Sequence, residues 1–307
     1  MIYSSAAELI GNTPLMRADR FAEAYGVEAN LVVKLESRNP GGSAKDRIAL
    51  NMIRRAQERG ELKPGATLIE ATSGNTGVGL GVVAAACGYR VVLTMPDSMS
   101  LERRKILEAL GVTIELTDSQ LGMAGANERA EELLKRIPNS MRMLQFENPD
   151  NPAAHEATTG PEIWRDSEGC IDALVAGVGT GGTVCGAGRY LKRQNPKLCV
   201  VAVQPAESPV LTGGRPNVHG IQGLGANFIP KNYDASVVDQ VISVKTEDAV
   251  EAARLFMKTE GVLCGISCGA ALAGARDYAK RQRRASDTIV VILPDTGERY
   301  LSTALFD

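Results

Sequence analysis

Two doubly wound parallel-sheet α/β lobes are the fold this sequence predicts, and three observations predict it. Short β runs alternate with amphipathic helical stretches through most of the chain, a pattern that produces right-handed crossovers and parallel sheets. Glycine- and hydroxyl-rich turns stand at several strand-to-helix junctions, where open parallel sheets bind their ligands. With 307 residues, 44% hydrophobic and 23% charged, the chain is long enough for two lobes rather than one.

The elements follow in order. Residues 31–36 read as a strand, and a helix begins near Lys45. Strands at 68–71, 91–95 and 113–116 are each followed by a helical stretch, at 75–87, 100–110 and 122–136. The run Asn148-Pro149-Asp150-Asn151-Pro152 interrupts this series with two prolines, and a lobe boundary is expected near it. We therefore expect a smaller, mobile substrate-loop domain at 40–147 and a larger cofactor-phosphate domain formed by 1–39 and 148–307. Further strands are expected at 173–176, 199–203 and 289–293, with helices at 182–194, 247–260 and 269–283. Residues 208–230 are rich in glycine and proline and poorly periodic, as expected of a segment that lines or covers a site.

Bulk properties exclude several classes of function. Thirty-four basic against 36 acidic residues leave a net charge of −2, so no global field draws the chain to nucleic acid or an anionic membrane. The basic run Arg281-Gln282-Arg283-Arg284 reads as a solvated helix end. No apolar run approaches the roughly 20 residues of a membrane span, and Met1-Ile2-Tyr3-Ser4 lacks a secretory pattern. A cytoplasmic location is expected. Six scattered cysteines without Cys-x-x-Cys spacing suit reduced thiols. Only His155 and His219 are present, which removes most histidine-based mechanisms and metal sites.

The chemistry centres on Asn39-Pro40-Gly41-Gly42-Ser43-Ala44-Lys45-Asp46-Arg47. Ser43 and Asp46 have the spacing of a capping box, and the apolar residues Ile48, Leu50, Met52 and Ile53 continue the helix. Lys45 then falls in the first turn, where the helix dipole and unpaired N–H groups disfavour an ammonium. A neutral amine is a nucleophile toward a carbonyl.

Three turns supply what such an amine needs. Thr72-Ser73-Gly74-Asn75-Thr76-Gly77 follows a strand and is expected to cradle a carboxylate, with Asn75 bonding a cofactor oxygen. Gly177-Val178-Gly179-Thr180-Gly181-Gly182-Thr183 contains Gly-x-Gly-x-x-Gly, but the next strand ends Val203-Gln204-Pro205, without the acidic residue a dinucleotide ribose requires. Its glycines and threonines make a cup better suited to one phosphate than to a pyrophosphate. Gly265-Ile266-Ser267-Cys268-Gly269 fits the Gly-x-Ser-x-Gly nucleophile elbow. No histidine follows it, so Ser267 is better read as a hydrogen-bonding hydroxyl. A lysine amine, a monophosphate cup and a carboxylate cradle together suggest pyridoxal 5'-phosphate acting on an amino acid.

At these residues the chain resembles the cysteine synthase family, the O-acetylserine sulfhydrylases, of the fold type II pyridoxal-phosphate enzymes. The likeness covers nearly the whole chain. It includes Ile10-Gly11-Asn12-Thr13-Pro14-Leu15, the lysine motif, Thr158 to Trp164 and Gly297 to Thr303. The resemblance implies a tryptophan synthase β-like fold with the cofactor site in the cleft between the lobes. By resemblance, Lys45 is the catalytic lysine that carries the cofactor. Asn75, Gly179, Thr180, Gly181, Gly182, Thr183 and Ser267 complete the cofactor site, with Ser267 facing the pyridine nitrogen. Thr72, Ser73, Asn75, Thr76 and Gln145 bind the substrate carboxylate, and no metal is expected. The implied reaction converts O-acetyl-L-serine and sulfide into L-cysteine through an α-aminoacrylate. Relatives that use phosphoserine, thiosulfate, cyanide, homocysteine or cysteine are the alternatives, with Arg215 a candidate contact for a phosphate or sulfonate. A regulatory binder with a cysteine-synthase body is a further alternative. A homodimer is implied, with serine acetyltransferase as a candidate partner. Cys268 and Asp295 depart from the family's common residues, and an Asp295 carboxylate at the ring nitrogen would reverse the electronic role given to Ser267.

Overall fold

In the computed structural model, all residues are described except Met1, Ser73, Ser100 and Arg283, and the side chain of Glu102. Along the chain run β1 (Leu15–Arg17), α1 (Asp19–Tyr25), β2 (Asn30–Leu35), α2 (Lys45–Glu58), β3 (Thr67–Ala71), α3 (Asn75–Cys87) and β4 (Arg90–Pro96). Then come α4 (Leu101–Ala109), β5 (Thr113–Thr117), α5 (Gly122–Arg136), β6 (Ser140–Arg142), α6 (Asp150–Ala157) and α7 (Thr159–Asp166). The chain finishes with β7 (Ala173–Gly177), α8 (Gly182–Gln194), β8 (Cys199–Pro205), β9 (Gln240–Val244), α9 (Thr246–Glu260), α10 (Ile266–Gln282) and β10 (Thr288–Leu293).

These elements form two units, one of Met1–Ile10 with Asn39–Asn151 and one of Gly11–Arg38 with Pro152–Asp307. The first contains a four-stranded sheet in the order β5-β4-β3-β6, parallel throughout. Every residue of β3 is buried and α3 is apolar around most of its circumference, as expected where helices cover a parallel sheet. Ile69, Ala71 and Val92 pack against Ala126, Ala130 and Leu133 of α5.

The second unit contains a six-stranded sheet in the order β1-β2-β10-β7-β8-β9. Its strands are parallel except β1, which pairs antiparallel with β2 at one edge. One core lies between the sheet and α1, α9 and α10, where Phe21, Phe256 and Leu272 are fully buried. The other joins the sheet to α7 and α8 through Ile163, Val184 and Leu191.

The expected strands and helices are present, except that Ser100 and Arg283, at the ends of two expected helices, lie outside the described residues; four differences have physical reasons. β1 and β6 are three residues long, too short for an alternating signal. β9 is a strand outside the expected series, although Gln240-Val241-Ile242-Ser243-Val244 has β-branched residues. The interrupting run at 148–152 opens a helix, because Pro152 occupies the first turn of α6, where no intrahelical N–H is required. The Ser43–Asp46 pair caps α2 with other partners. Ala44 is the N-cap, Ser43 Oγ accepts the Lys45 N–H at 3.2 Å, and the Asp46 carboxylate accepts the Gly41 N–H.

No helix among the described residues is long and apolar enough to cross a membrane.

Candidate active site

Lys45 is the first residue of α2 and is half-buried. Gly42, with φ +73°, turns the chain into this helix, a backbone conformation that favours glycine. Asp46, Arg47, Ile48, Ala49, Met52 and Ile53 are buried along α2, which packs on α3. Lys45 therefore sits at the positive end of a helix that packs against its neighbour.

The turn after β3 leads into α3 in the same unit. Thr72 is buried and its Oγ1 accepts the Gly74 N–H at 3.3 Å. Ser73 lies outside the described residues. Asn75 opens α3 and is half-buried, while Thr76 is buried and donates from Oγ1 to Gln145 Oε1 at 2.5 Å. The structure thus brings together two residues 69 positions apart that the family resemblance assigns to one carboxylate site.

Gln145 is secured at its backbone as well. Its N–H reaches Glu70 Oε1 at 3.3 Å, and its carbonyl accepts from Asn151 Nδ2 at 2.7 Å. Glu70 Oε2 also accepts the N–H groups of Met143 at 3.1 Å and Leu144 at 3.0 Å. Burial pushes the Glu70 carboxyl above its ordinary range, and the three amides and Arg142 oppose that rise.

In the second unit, β7 runs into the glycine-rich turn and α8. Gly181, with φ +83°, is the N-cap of α8. A β-carbon on Gly179 would meet the Gly223 carbonyl oxygen, and one on Gly181 would lie 2.9 Å from Tyr233 Cα. These glycines allow the turn to sit against neighbouring backbone. Gly182 and Thr183 open α8, whose first N–H groups lack intrahelical carbonyls and favour an anion. Thr180 is buried. Thr183 Oγ1 lies 3.1 Å from His155 Nε2, and His155 Nδ1 lies 2.9 Å from Thr159 Oγ1.

Ser267 is buried in the first turn of α10. Its Oγ would be 3.7 Å from a β-carbon on Gly223. The Asp295 carboxylate accepts two hydrogen bonds: Oδ2 accepts the Tyr300 hydroxyl at 2.6 Å and Oδ1 accepts the Cys268 thiol at 3.6 Å. Cys268 also donates to the Asp295 carbonyl at 3.4 Å. Complete burial pushes the Cys268 thiol well above its ordinary range, so it is a weak nucleophile.

This geometry coincides with a family match. Residues 6–295 match the family described as pyridoxal-phosphate dependent enzyme. Cysteine synthase A of Escherichia coli (strain K12) is 49% identical over 314 residues, spanning 99% of this chain and 96% of its own. The chain belongs to the cysteine synthase family of pyridoxal-phosphate-dependent enzymes. The solved cysteine synthase of Entamoeba histolytica has a TM-score of 0.96 at 43% identity, covering 100% of this chain and 91% of that one. A solved O-ureido-L-serine synthase has a TM-score of 0.95 at 42% identity, covering 100% and 96%.

The residues fit the cofactor of a cysteine synthase. A primary amine stands at the start of α2, as carbonyl attachment requires. At the start of α8 the donors are backbone amides and threonine hydroxyls, the set a phosphate dianion needs. No group of three or more His, Cys, Asp or Glu side chains is gathered as a metal site among the described residues. Sequence reasoning did not assign Glu70, Asn151 or His155 to the site. The available signals were a lone charge inside 68–71 and the scarcity of histidine.

Proposed function

We propose that this chain makes L-cysteine from O-acetyl-L-serine and sulfide by pyridoxal-phosphate-dependent β-replacement. The observation that carries this reading is the packing of α2 on α3. One helix begins with Lys45 and the other with Asn75 and Thr76, so the amine and the carboxylate turn share one support.

The cofactor, when bound, supplies an electron sink that acidifies the substrate Cα–H. In the proposed mechanism Lys45 first carries the cofactor and then, as a free amine, takes the α-proton. Thr72, Ser73, Asn75, Thr76 and Gln145 hold the substrate carboxylate, so the Cα–H faces that amine. Gly179, Thr180, Gly181, Gly182 and Thr183 hold the phosphate, with His155 fixing the Thr183 hydroxyl. Ser267 offers a neutral hydroxyl to the ring nitrogen. Acetate leaves from Cβ, sulfide forms the new C–S bond there, and Lys45 returns its proton to Cα. Closure of the carboxylate turn over substrate would exclude water during the exchange. The same reading takes the chain to be a cytoplasmic homodimer, with serine acetyltransferase a candidate partner, as the family resemblance implies.

The O-ureido-L-serine synthase neighbour favours a second reading, in which another nucleophile or leaving group is physiological. Parallel assays of O-acetylserine and phosphoserine with sulfide, and of cysteine with homocysteine, which releases sulfide, separate the two. O-acetylserine should give the highest kcat/KM, and Lys45→Ala should abolish turnover. Borohydride reduction should attach the cofactor to wild-type chain at Lys45. Labelling at another lysine would overturn the assignment, and a preference for phosphoserine would replace the proposed substrate.

A further inference from the structure

Glu70 stands out among the described residues for reasons the proposed reaction does not use. It is the charged residue within β3, otherwise Thr67, Leu68, Ile69 and Ala71, and only 3% of it is exposed. Burying a carboxylate in a parallel sheet is unfavourable unless its oxygens are satisfied. Here they accept three consecutive backbone N–H groups, from Met143, Leu144 and Gln145, at 3.0–3.3 Å. Three successive amides converge on one side chain only if the chain bends sharply, and Leu144 does so with φ +53°, an uncommon conformation for a branched residue. The bend places Gln145 so that its side chain accepts the Thr76 hydroxyl.

We propose that Glu70 is a positioning residue for the substrate-carboxylate turn. Its carboxylate holds residues 143–145 in the strained bend that presents Gln145 beside Thr76. The proposal rests on the reading of Gln145 and Thr76 as carboxylate-binding residues. β3 therefore contributes twice, through Thr72 beyond its carboxyl end and through Glu70, which reaches sideways to the segment after β6. Asn148 and Asn151 support the same bend by donating to the Met143 and Gln145 carbonyls, but neither supplies an acceptor for the three amides.

The test uses holoenzyme carrying Glu70→Gln, Gln145→Ala or both. In Glu70→Gln an NH2 group replaces one acceptor oxygen and opposes an amide N–H. One hydrogen bond to a charged group is lost, so KM for O-acetylserine should rise about tenfold or more. The kcat and the cofactor absorbance without substrate should stay near wild type. L-Alanine, which has a carboxylate but no leaving group, should bind more weakly by the same factor in a spectral titration. Glu70→Gln should add little in the Gln145→Ala background, because the positioned group is already gone. Glu70→Asp keeps the charge and should recover part of the affinity if it folds.

Unchanged KM in Glu70→Gln alongside a raised KM in Gln145→Ala would overturn the proposal alone. Unchanged KM in Gln145→Ala would overturn the carboxylate reading and the proposal together. Additive effects in the double variant, or a loss of kcat and cofactor with KM unchanged, would reduce Glu70 to a packing role and also overturn it.

Discussion

A β-carbon on Gly79 would lie 2.9 Å from the Lys45 carbonyl oxygen and 3.0 Å from the Lys45 carbonyl carbon, so α3 rests directly on the lysine backbone. These atoms are main chain of another helix and cannot swing aside as a flexible side chain would. Gly79→Ala must therefore displace α3 against α2, and overpacking of this kind costs about 1–3 kcal/mol. The displaced backbone belongs to Lys45, so kcat should fall together with Tm. Thermal melting and steady-state assays of the same preparation check this, and wild-type values for both would show that the helices have slack.

Lys45 and the two lobes are legible in the sequence because each has a local signature. Glycine and proline stop the chain before the lysine, apolar spacing continues it as a helix, and 75–87, 122–136 and 182–194 coincide with α3, α5 and α8. The support of the site is less legible, because it is made of side-chain-to-backbone bonds with no period. Asn148-Pro149-Asp150-Asn151-Pro152 illustrates this. Its prolines suggest an interruption, but Asn148 and Asn151 reach back five and six residues to secure the Gln145 bend. His155 is similar: its pairing with Thr159 and Thr183 depends on α6, α7 and α8 meeting in one unit. Ser43 and Asp46 are the right residues at the start of α2, but a spacing rule could not foresee that Asp46 would turn to Gly41.

The Gly11-Asn12-Thr13-Pro14 signature has a structural explanation that yields a stability prediction. Lys34 is fully buried, with its ammonium 2.8 Å from Glu162 Oε2 and donating to the Thr13 carbonyl at 2.6 Å. Glu162 Oε1 accepts the Asn12 N–H at 2.9 Å. Glu162→Gln leaves a buried ammonium without its nearest counter-charge, which should cost about 3–5 kcal/mol in urea unfolding. The double variant Lys34→Met, Glu162→Gln should recover much of that loss, because no unpaired charge remains. A double variant less stable than Glu162→Gln would show that the ion pair itself is strongly stabilising.

Ser267 and Asp295 are the two candidates for the group at the ring nitrogen, and substitution separates them. Tyr300 and Cys268 hold the Asp295 carboxylate, whereas Ser267 stands beside Gly223. Ser267→Ala removes one neutral hydrogen bond and should lower kcat by about tenfold at most, the equivalent of 0.5–1.5 kcal/mol. Asp295→Asn retains an acceptor for the Tyr300 hydroxyl and should leave kcat and the cofactor spectrum near wild type. The reverse order of effects, with the spectrum altered in Asp295→Asn and unaltered in Ser267→Ala, would give the ring nitrogen to Asp295.

Glu70 also makes a prediction about pH whose sign is fixed by burial. Its folded-state pKa is raised, because desolvation outweighs the three amide N–H groups and Arg142. Between the unfolded and folded values the folded chain binds the proton more readily than the unfolded chain. This contribution to stability is therefore fully present below the usual carboxylate range and is lost as pH rises through the folded pKa. Glu70→Gln has no such titration. The stability of wild type minus that of Glu70→Gln should accordingly decrease from about pH 4 upward, levelling once Glu70 is ionised in both states. Paired urea titrations across that range measure the difference, and a difference that grows with pH would mean that the amides outweigh burial.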